Sequence, residues 1–234
     1  MESFLDFVKG PLFRLAFGIM LLGLSRNLFL SISNMIQVWL KAGDKTINWK
    51  LVFKRTMQWM FPVGRLFRSR PLYSVMSILF HVGVILVPIF LFAHIELWKL
   101  SIGISWPALG QTFAHYLSIL TIIMCFGLFI ARVAFKESRQ ISRPQDYIWP
   151  LLIAVPFISG FLAAHPTMNP ISYNLMMIIH MMSSEIIFIF VPFTKIAHSI
   201  LLPISHLISE LGWHFPAMSG KNVGLTLGKE GEPV

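Results

Sequence analysis

Long apolar runs separated by short basic segments dominate this sequence, and they restrict the folds open to it. Of its 234 residues, 56% are hydrophobic and only 12% are charged. About 20 consecutive apolar residues in a helix cross the hydrocarbon core of a bilayer. The sequence therefore predicts an all-α membrane protein with five transmembrane helices, at about residues 4–25, 72–98, 107–135, 147–164 and 171–202.

Basic residues between the predicted spans indicate the orientation of the chain. Residues 41–70 carry eight Lys or Arg residues and one acidic residue, Asp44. The positive-inside rule places such a loop in the cytoplasm, so the N-terminus is predicted outside and the C-terminus in the cytoplasm. Tryptophans interleaved with these charges predict an interfacial helical segment between helices 1 and 2, with a partner-docking surface as the alternative.

The rest of the composition narrows the class of protein. Glu2 and Asp6 precede the first apolar run, which therefore reads as a retained span rather than a cleaved signal peptide. The net charge of +9 lies in loops and not on a soluble basic face, so we predict no nucleic-acid partner. A single cysteine, Cys125, excludes disulfides and cysteine-ligated metal centres within the chain. We interpret residues 1–234 as one membrane domain, with a core at 71–203 and a cytoplasmic tail at 204–234.

Histidines inside two of the spans are the candidate functional residues. His81 and His94 lie in the second span, and His180 and His198 lie in the fifth. If these spans are antiparallel neighbours, His81 meets His198 on the inner side and His94 meets His180 on the outer side. Two imidazoles opposed between helices are the axial ligand set of a b-type haem. Polar groups inside spans are costly and usually functional, which favours this interpretation.

The spacing of the histidines supports the haem interpretation in the fifth span and opposes it in the second. Eighteen residues are five helical turns, so in an unbroken helix His180 and His198 share a face, about 27 Å apart. Thirteen residues separate His81 from His94, which places them about 220° apart around an ideal helix. Pro88 lies between them and can kink the helix or admit a bulge. Without such a change, His115 in the third span becomes the competing outer ligand. His165 lies at the same depth and is a weaker candidate.

Short segments around these histidines resemble a known family. Residues 80–83 (FHVG), 93–94 (AH), 160–166 (GFLAAHP) and, most specifically, 191–198 (VPFTKIAH) carry the resemblance. They are similar to the membrane cytochrome b (gamma) subunit of respiratory nitrate reductase and its relatives in heterodisulfide-reductase-like anaerobic redox complexes. The likeness covers about residues 72–203, and the spacing of the histidines in the second span is longer here than in the nitrate reductase subunit.

The resemblance implies two haem b groups, with His81 and His198 on the inner haem iron and His94 and His180 on the outer haem iron. It implies menaquinone or another quinone near the outer haem and a cytoplasmic iron–sulfur subunit near the inner one. Other membrane or multihaem cytochrome subunits are further possible partners. The expected location is a bacterial or archaeal cytoplasmic membrane, and the expected function is electron transfer between quinone and partner. A haem-free membrane anchor of a redox complex is the alternative.

Three basic residues are candidates for contacts with these groups. Arg26 and Lys195 are placed to meet haem propionates, and Lys195 is also placed to meet the cytoplasmic partner, while snorkelling to headgroups is the alternative for both. Lys99, at the outer end of the second span, is a candidate donor to a quinone oxygen. An interface anchor is the alternative role for Lys99.

Overall fold

The computed structural model describes residues 1–41, 48–60, 68, 70–212 and 218–231, and it contains no β-strand among them. The parts of the predicted interfacial segment at 42–47 and 61–67 lie outside this description. The α-helices are α1 (Glu2–Phe7), α2 (Phe13–Lys41), α3 (Trp49–Met60), α4 (Pro71–Phe90), α5 (Phe92–Ile102), α6 (Gln111–Ala134), α7 (Lys136–Ile141), α8 (Pro144–Ala163), α9 (Tyr173–Phe190), α10 (His198–Gly212) and α11 (Ser219–Leu227).

Five helical segments among the described residues are long and apolar enough to cross a membrane, which confirms the predicted all-α, multi-pass character. Large apolar side chains such as Leu22, Ile85 and Ile130 remain exposed along these segments, as in helices that face lipid. The segments are Glu2–Gln37, Pro71–Phe90, Gln111–Ala134, Pro144–Ala163 and Tyr173–Phe193.

One compact unit of the chain comprises Met1–Phe17 and Gly64–Ile189. Within it, α6 lies between α4 and α8 and packs against both. The buried residues of α6 recur every three or four positions, as the packing face of a helix does: Ala114, Leu117, Thr121, Cys125, Leu128 and Ala131.

A glycine allows the close approach of α4 and α6. A Cβ atom on Gly83 would lie 1.7 Å from Oγ1 of Thr121, whose hydroxyl donates to the Leu117 carbonyl at 2.6 Å. Any side chain at position 83 therefore forces these two helices apart.

Arginines tie together the ends of the helices in this unit. Arg132 donates to the Tyr73 hydroxyl at 3.0 Å and to the Ser142 hydroxyl at 3.1 Å. Arg70 donates to the Ser138 hydroxyl at 3.0 Å. These bonds connect the start of α4 with α7 and the end of α6, so the basic loop after the third span is an ordered part of the unit.

The second compact unit comprises Gly18–Val63 and Phe190–Val234. Within it, α3 packs against α10. The α2 segment of this unit approaches Pro192, because the Asn27 side chain donates to the Pro192 carbonyl at 2.8 Å. Gly23 makes room for the proline ring, since a Cβ there would lie 2.6 Å from two of its carbon atoms.

The second predicted span, at 72–98, is interrupted in the structure. Helix α4 ends at Phe90, Leu91 is extended with ψ 130°, and α5 begins at Phe92. The break follows Pro88 by three residues. His81 and His94 were expected on different faces only if they shared a single ideal helix. Because they lie on two helices, that expectation does not apply.

The prediction of an uninterrupted helix between His180 and His198 is wrong. Helix α9 ends at Phe190, and two short 3₁₀ turns, Val191–Phe193 and Lys195–Ala197, flank Thr194, which is extended. Pro192 lacks an N–H group, so an α-helix passing through it would lose a hydrogen bond. The five-turn spacing argument for the two histidines therefore does not apply.

Two further boundaries differ from the prediction. Helix α2 runs without a break through Arg26 to Lys41, beyond the expected end of the first span near residue 25. Helix α10 continues through Pro203 to Gly212, beyond the expected end of the fifth span.

Replacing Gly83 tests the packing of α4 on α6. We expect Gly83→Ala to destabilise the protein by about 1–3 kcal/mol, because the added methyl group overlaps the Thr121 side chain. The matched control is Gly18→Ala, where a Cβ meets nothing within 4 Å. Thermal unfolding in detergent would show a lower Tm for Gly83→Ala than for the control, and equal Tm values would contradict the packing.

Candidate functional site: a histidine pair beside a helix break

The structure brings together His94 of α5 and His180 of α9. Their ring centroids lie 6.1 Å apart and their ring planes differ by 12°. Both rings are half-buried, and both belong to the first compact unit. This is the outer pair that the sequence predicts.

The break at Leu91 positions His94. In a continuous helix the carbonyls of residues 88–90 would accept from backbone N–H groups four residues later. Here the Pro88 carbonyl accepts from Nδ1 of His94 at 3.0 Å. The Ile89 carbonyl accepts from the Trp106 indole at 2.9 Å, and the Phe90 carbonyl accepts from the Leu109 amide at 2.9 Å.

Helix α8 provides the seat for His180. Nδ1 of His180 donates to the Pro156 carbonyl at 2.8 Å. A Cβ on Gly160 would lie 2.8 Å from Cε1 and 2.9 Å from Nδ1 of this ring, so only glycine fits at position 160 without moving the imidazole. The hydroxyls of Ser183 and Ser184 donate to the His180 carbonyl at 2.9 and 2.8 Å.

These bonds define the tautomer of both rings. A carbonyl oxygen only accepts hydrogen bonds, so Nδ1 of each neutral imidazole carries the hydrogen and Nε2 carries the lone pair. The neutral form is the one that binds a metal. A hydrogen bond from the other ring nitrogen to a backbone carbonyl is typical of metal-ligating histidines.

The 6.1 Å between the two ring centroids matches the separation of two imidazoles bound to one metal ion from opposite sides. With metal–imidazole bonds of about 2.0 Å, as for zinc, the ring centres of two opposed imidazoles lie roughly 6 Å apart. No group of three or more His, Cys, Asp or Glu side chains suited to a metal ion occurs among the described residues. Two histidines alone do not complete a four-ligand site, whereas a haem macrocycle supplies the remaining ligands itself.

His115, the alternative outer ligand, lies with His165 instead. The two ring centroids are 4.0 Å apart and the planes are nearly perpendicular. Phe161 packs against both rings, and its carbonyl accepts from Nδ1 of His165 at 2.6 Å. His115 also lines a cleft of about 400 Å³, together with Gln111, Thr112, Tyr116 and Ile119.

The predicted inner ligands, His81 and His198, lie in different compact units. His81 is exposed on α4, and its Nδ1 donates to the Ser77 carbonyl at 2.6 Å. His198 is exposed at the start of α10, and its Nδ1 donates to the Lys195 carbonyl at 2.5 Å. Each ring therefore has the same tautomer as the outer pair.

The three basic candidates lie at the surface. Arg26 is exposed on α2, and Lys195 is exposed in the second 3₁₀ turn. Lys99 lies 3.4 Å from a carboxylate oxygen of Glu96 on the same helix. Its ammonium group therefore has an intrahelical partner.

Sequence reasoning missed one residue near the pair. Glu185, five residues after His180, is only 2% exposed, and neither carboxylate oxygen has a hydrogen-bond partner among the described residues. An acidic residue in the middle of an apolar span was the signal available in the sequence.

The chain is similar to a protein of Nitratidesulfovibrio vulgaris strain Hildenborough. The two are 32% identical over 165 residues, which cover 70% of this chain and 71% of that one. No family model matches the chain. No solved structure matches it. On the strength of the shared length and identity, the chain belongs to the same family as this Nitratidesulfovibrio vulgaris protein.

Proposed function

We propose that this protein is a membrane cytochrome b subunit that carries electrons between a quinone and a partner protein. The observation that supports it is the pair of His94 and His180, with ring centroids 6.1 Å apart and near-parallel planes. In both rings Nδ1 is held by a carbonyl, which leaves Nε2 as the ligand atom. A bis-histidine b haem is the cofactor that this ligand set suits.

A bound haem would supply one-electron redox chemistry. The residues of the chain would hold and orient it. The Pro88 and Pro156 carbonyls fix the two imidazoles, and Gly160 leaves space for the His180 ring. Apolar helices around the pair exclude water, and a low local dielectric together with the hydrogen bonds of the ligands sets the reduction potential.

The proposal includes a second haem on His81 and His198, which rests on the sequence and on the resemblance to the nitrate reductase gamma subunits. It also includes the orientation with the N-terminus outside and the C-terminus in the cytoplasm of a bacterium or archaeon. The basic residues of 41–70 support that orientation, and the amphipathic helix α3 is the described part of the proposed interfacial segment.

A cytoplasmic iron–sulfur subunit is the proposed electron-transfer partner, and menaquinone or another quinone is the proposed substrate. Further membrane or multihaem cytochrome subunits belong to the same proposal. The basic inner loops offer an electrostatic surface to an acidic partner.

Haem content tests the proposal directly. We expect the purified protein to show a reduced-minus-oxidised b-type spectrum with about two haems per chain, one for each histidine pair. Quantitative haem extraction against protein concentration measures this ratio. A haem-to-protein ratio near zero would instead support a haem-free anchor. A ratio near one would show that only one of the two histidine pairs binds haem.

Single histidine replacements test which residues are ligands. We expect His94→Ala and His180→Ala each to lose one haem, because each leaves the iron with a single imidazole. The matched controls are His115→Ala and His165→Ala, which alter the neighbouring histidine pair and should retain both haems. His198→Ala should lose the other haem. Loss of haem in His115→Ala with retention in His94→Ala would overturn the assignment.

Replacing Gly160 tests whether the His180 ring must pack against α8. We expect Gly160→Ala to reduce occupancy of the same haem as His180→Ala, because its methyl group displaces the imidazole from its position beside α8. Gly110→Ala is the control, since a Cβ at that position meets nothing within 4 Å. Haem spectra of the two variants, at matched protein recovery, make the comparison. Full haem occupancy in Gly160→Ala would show that haem binding does not depend on the packing of the His180 ring against Gly160.

A further inference from the structure

Glu185 is an unpartnered carboxyl group inside a membrane span. It lies within α9, where it is 2% exposed, and within the described part of the chain both side-chain oxygens lack a hydrogen-bond partner. Burying a carboxylate without a partner costs several kcal/mol or more, and the neutral acid avoids most of that cost. Ionisable residues retained in spans at such cost are usually functional.

The polar neighbours of Glu185 along α9 make their hydrogen bonds elsewhere. The serines that precede it on α9, Ser183 and Ser184, direct their hydroxyls to the His180 carbonyl. The first helical segment packs against α9 where Phe13 and Phe17 contact Phe188.

The charged residues of the first helical segment do not reach Glu185. The cations Lys9 and Arg14 are exposed. Neither they nor the acidic Glu2 and Asp6 supply a hydrogen-bond partner to the carboxyl oxygens of Glu185. The carboxyl group therefore lies in an apolar environment that favours the protonated form.

The position of Glu185 relates it to the histidine pair. Five residues of helix place it about 7.5 Å along the axis from His180, toward the middle of the span. At this distance Glu185 does not share a metal ion with His94 and His180. It lies in the same part of the membrane through which electrons would pass.

We infer that Glu185 is a proton-relay residue, which holds a proton inside the span and passes it on during the quinone reaction. This inference rests on the proposed function. Oxidation of a quinol to a quinone releases two electrons and two protons; the electrons leave through the cytochrome to the iron–sulfur partner. Glu185 transfers one proton at a time toward water and recovers the next from the quinol, so its carboxyl group returns to the neutral form after each transfer.

Infrared spectroscopy of the full-length protein in detergent tests the resting state of Glu185. We expect a carbonyl band of a protonated carboxylic acid at neutral pH, a shift of that band in D₂O, and its loss in Glu185→Gln. Glu96→Gln, a change at an exposed carboxylate paired with Lys99, should leave the band unchanged. A band that survives in Glu185→Gln, or no acid band in the wild type, would overturn the inference. This test does not require haem.

Quinol-driven reduction of the purified protein tests the relay itself, with a water-soluble quinol analogue as the donor. We expect Glu185→Gln to slow reduction by about a hundredfold and to flatten its pH profile, while haem content stays at the wild-type level. Glu185→Asp, which keeps a carboxyl group, should retain part of the rate. Wild-type rates in Glu185→Gln would refute the relay and leave the cytochrome proposal intact, whereas a protein without haem would refute the cytochrome proposal while the infrared comparison still decides the state of Glu185.

Discussion

Backbone carbonyls released at helix breaks are the constraint on which the arrangement of this protein depends. A bilayer offers no water to such groups, so each must find a donor within the protein. At Leu91 the donors are the His94 ring, the Trp106 indole and the Leu109 amide. At the break after α9, the Asn27 side chain donates to the Pro192 carbonyl, and the Thr194 hydroxyl donates to the Phe190 carbonyl at 2.9 Å. The break at Leu91 also fixes the orientation of His94, because the His94 ring is the donor to the released Pro88 carbonyl.

The same bonds distinguish His94 and His180 from His81, His165 and His198. His81 and His165 donate to the carbonyl four residues earlier, and His198 donates three residues back, which are local contacts available on any helix. His94 reaches across the break to Pro88, and His180 reaches a neighbouring helix at Pro156. These two bonds depend on tertiary structure. Rings held in this way have a fixed orientation, as the ligands of a preorganised site do.

The class of fold and the approach of His94 to His180 were both predicted from the sequence. Apolar runs of membrane-spanning length identified five helices, since length and composition alone determine that signal. The pairing of His94 with His180 followed from placing the histidines at matching depths on antiparallel spans. Pro88 indicated that the second span could be kinked, but the positions of the breaks, at Leu91 and at Val191–Ala197, depend on which groups donate to the released carbonyls. Glu185 was not predicted as a site because its burial depends on packing between helices.

Electron paramagnetic resonance of the oxidised protein, with and without ¹⁵N-labelled histidine, is the most direct test of the central claim that His94 and His180 bind one iron. The account predicts a low-spin ferric haem whose iron is coupled to two histidine nitrogens. It predicts that this signal disappears from His180→Ala while the signal of the other haem remains. Absence of a ferric haem signal, or the same signal with two coupled histidine nitrogens in His180→Ala, would contradict the account.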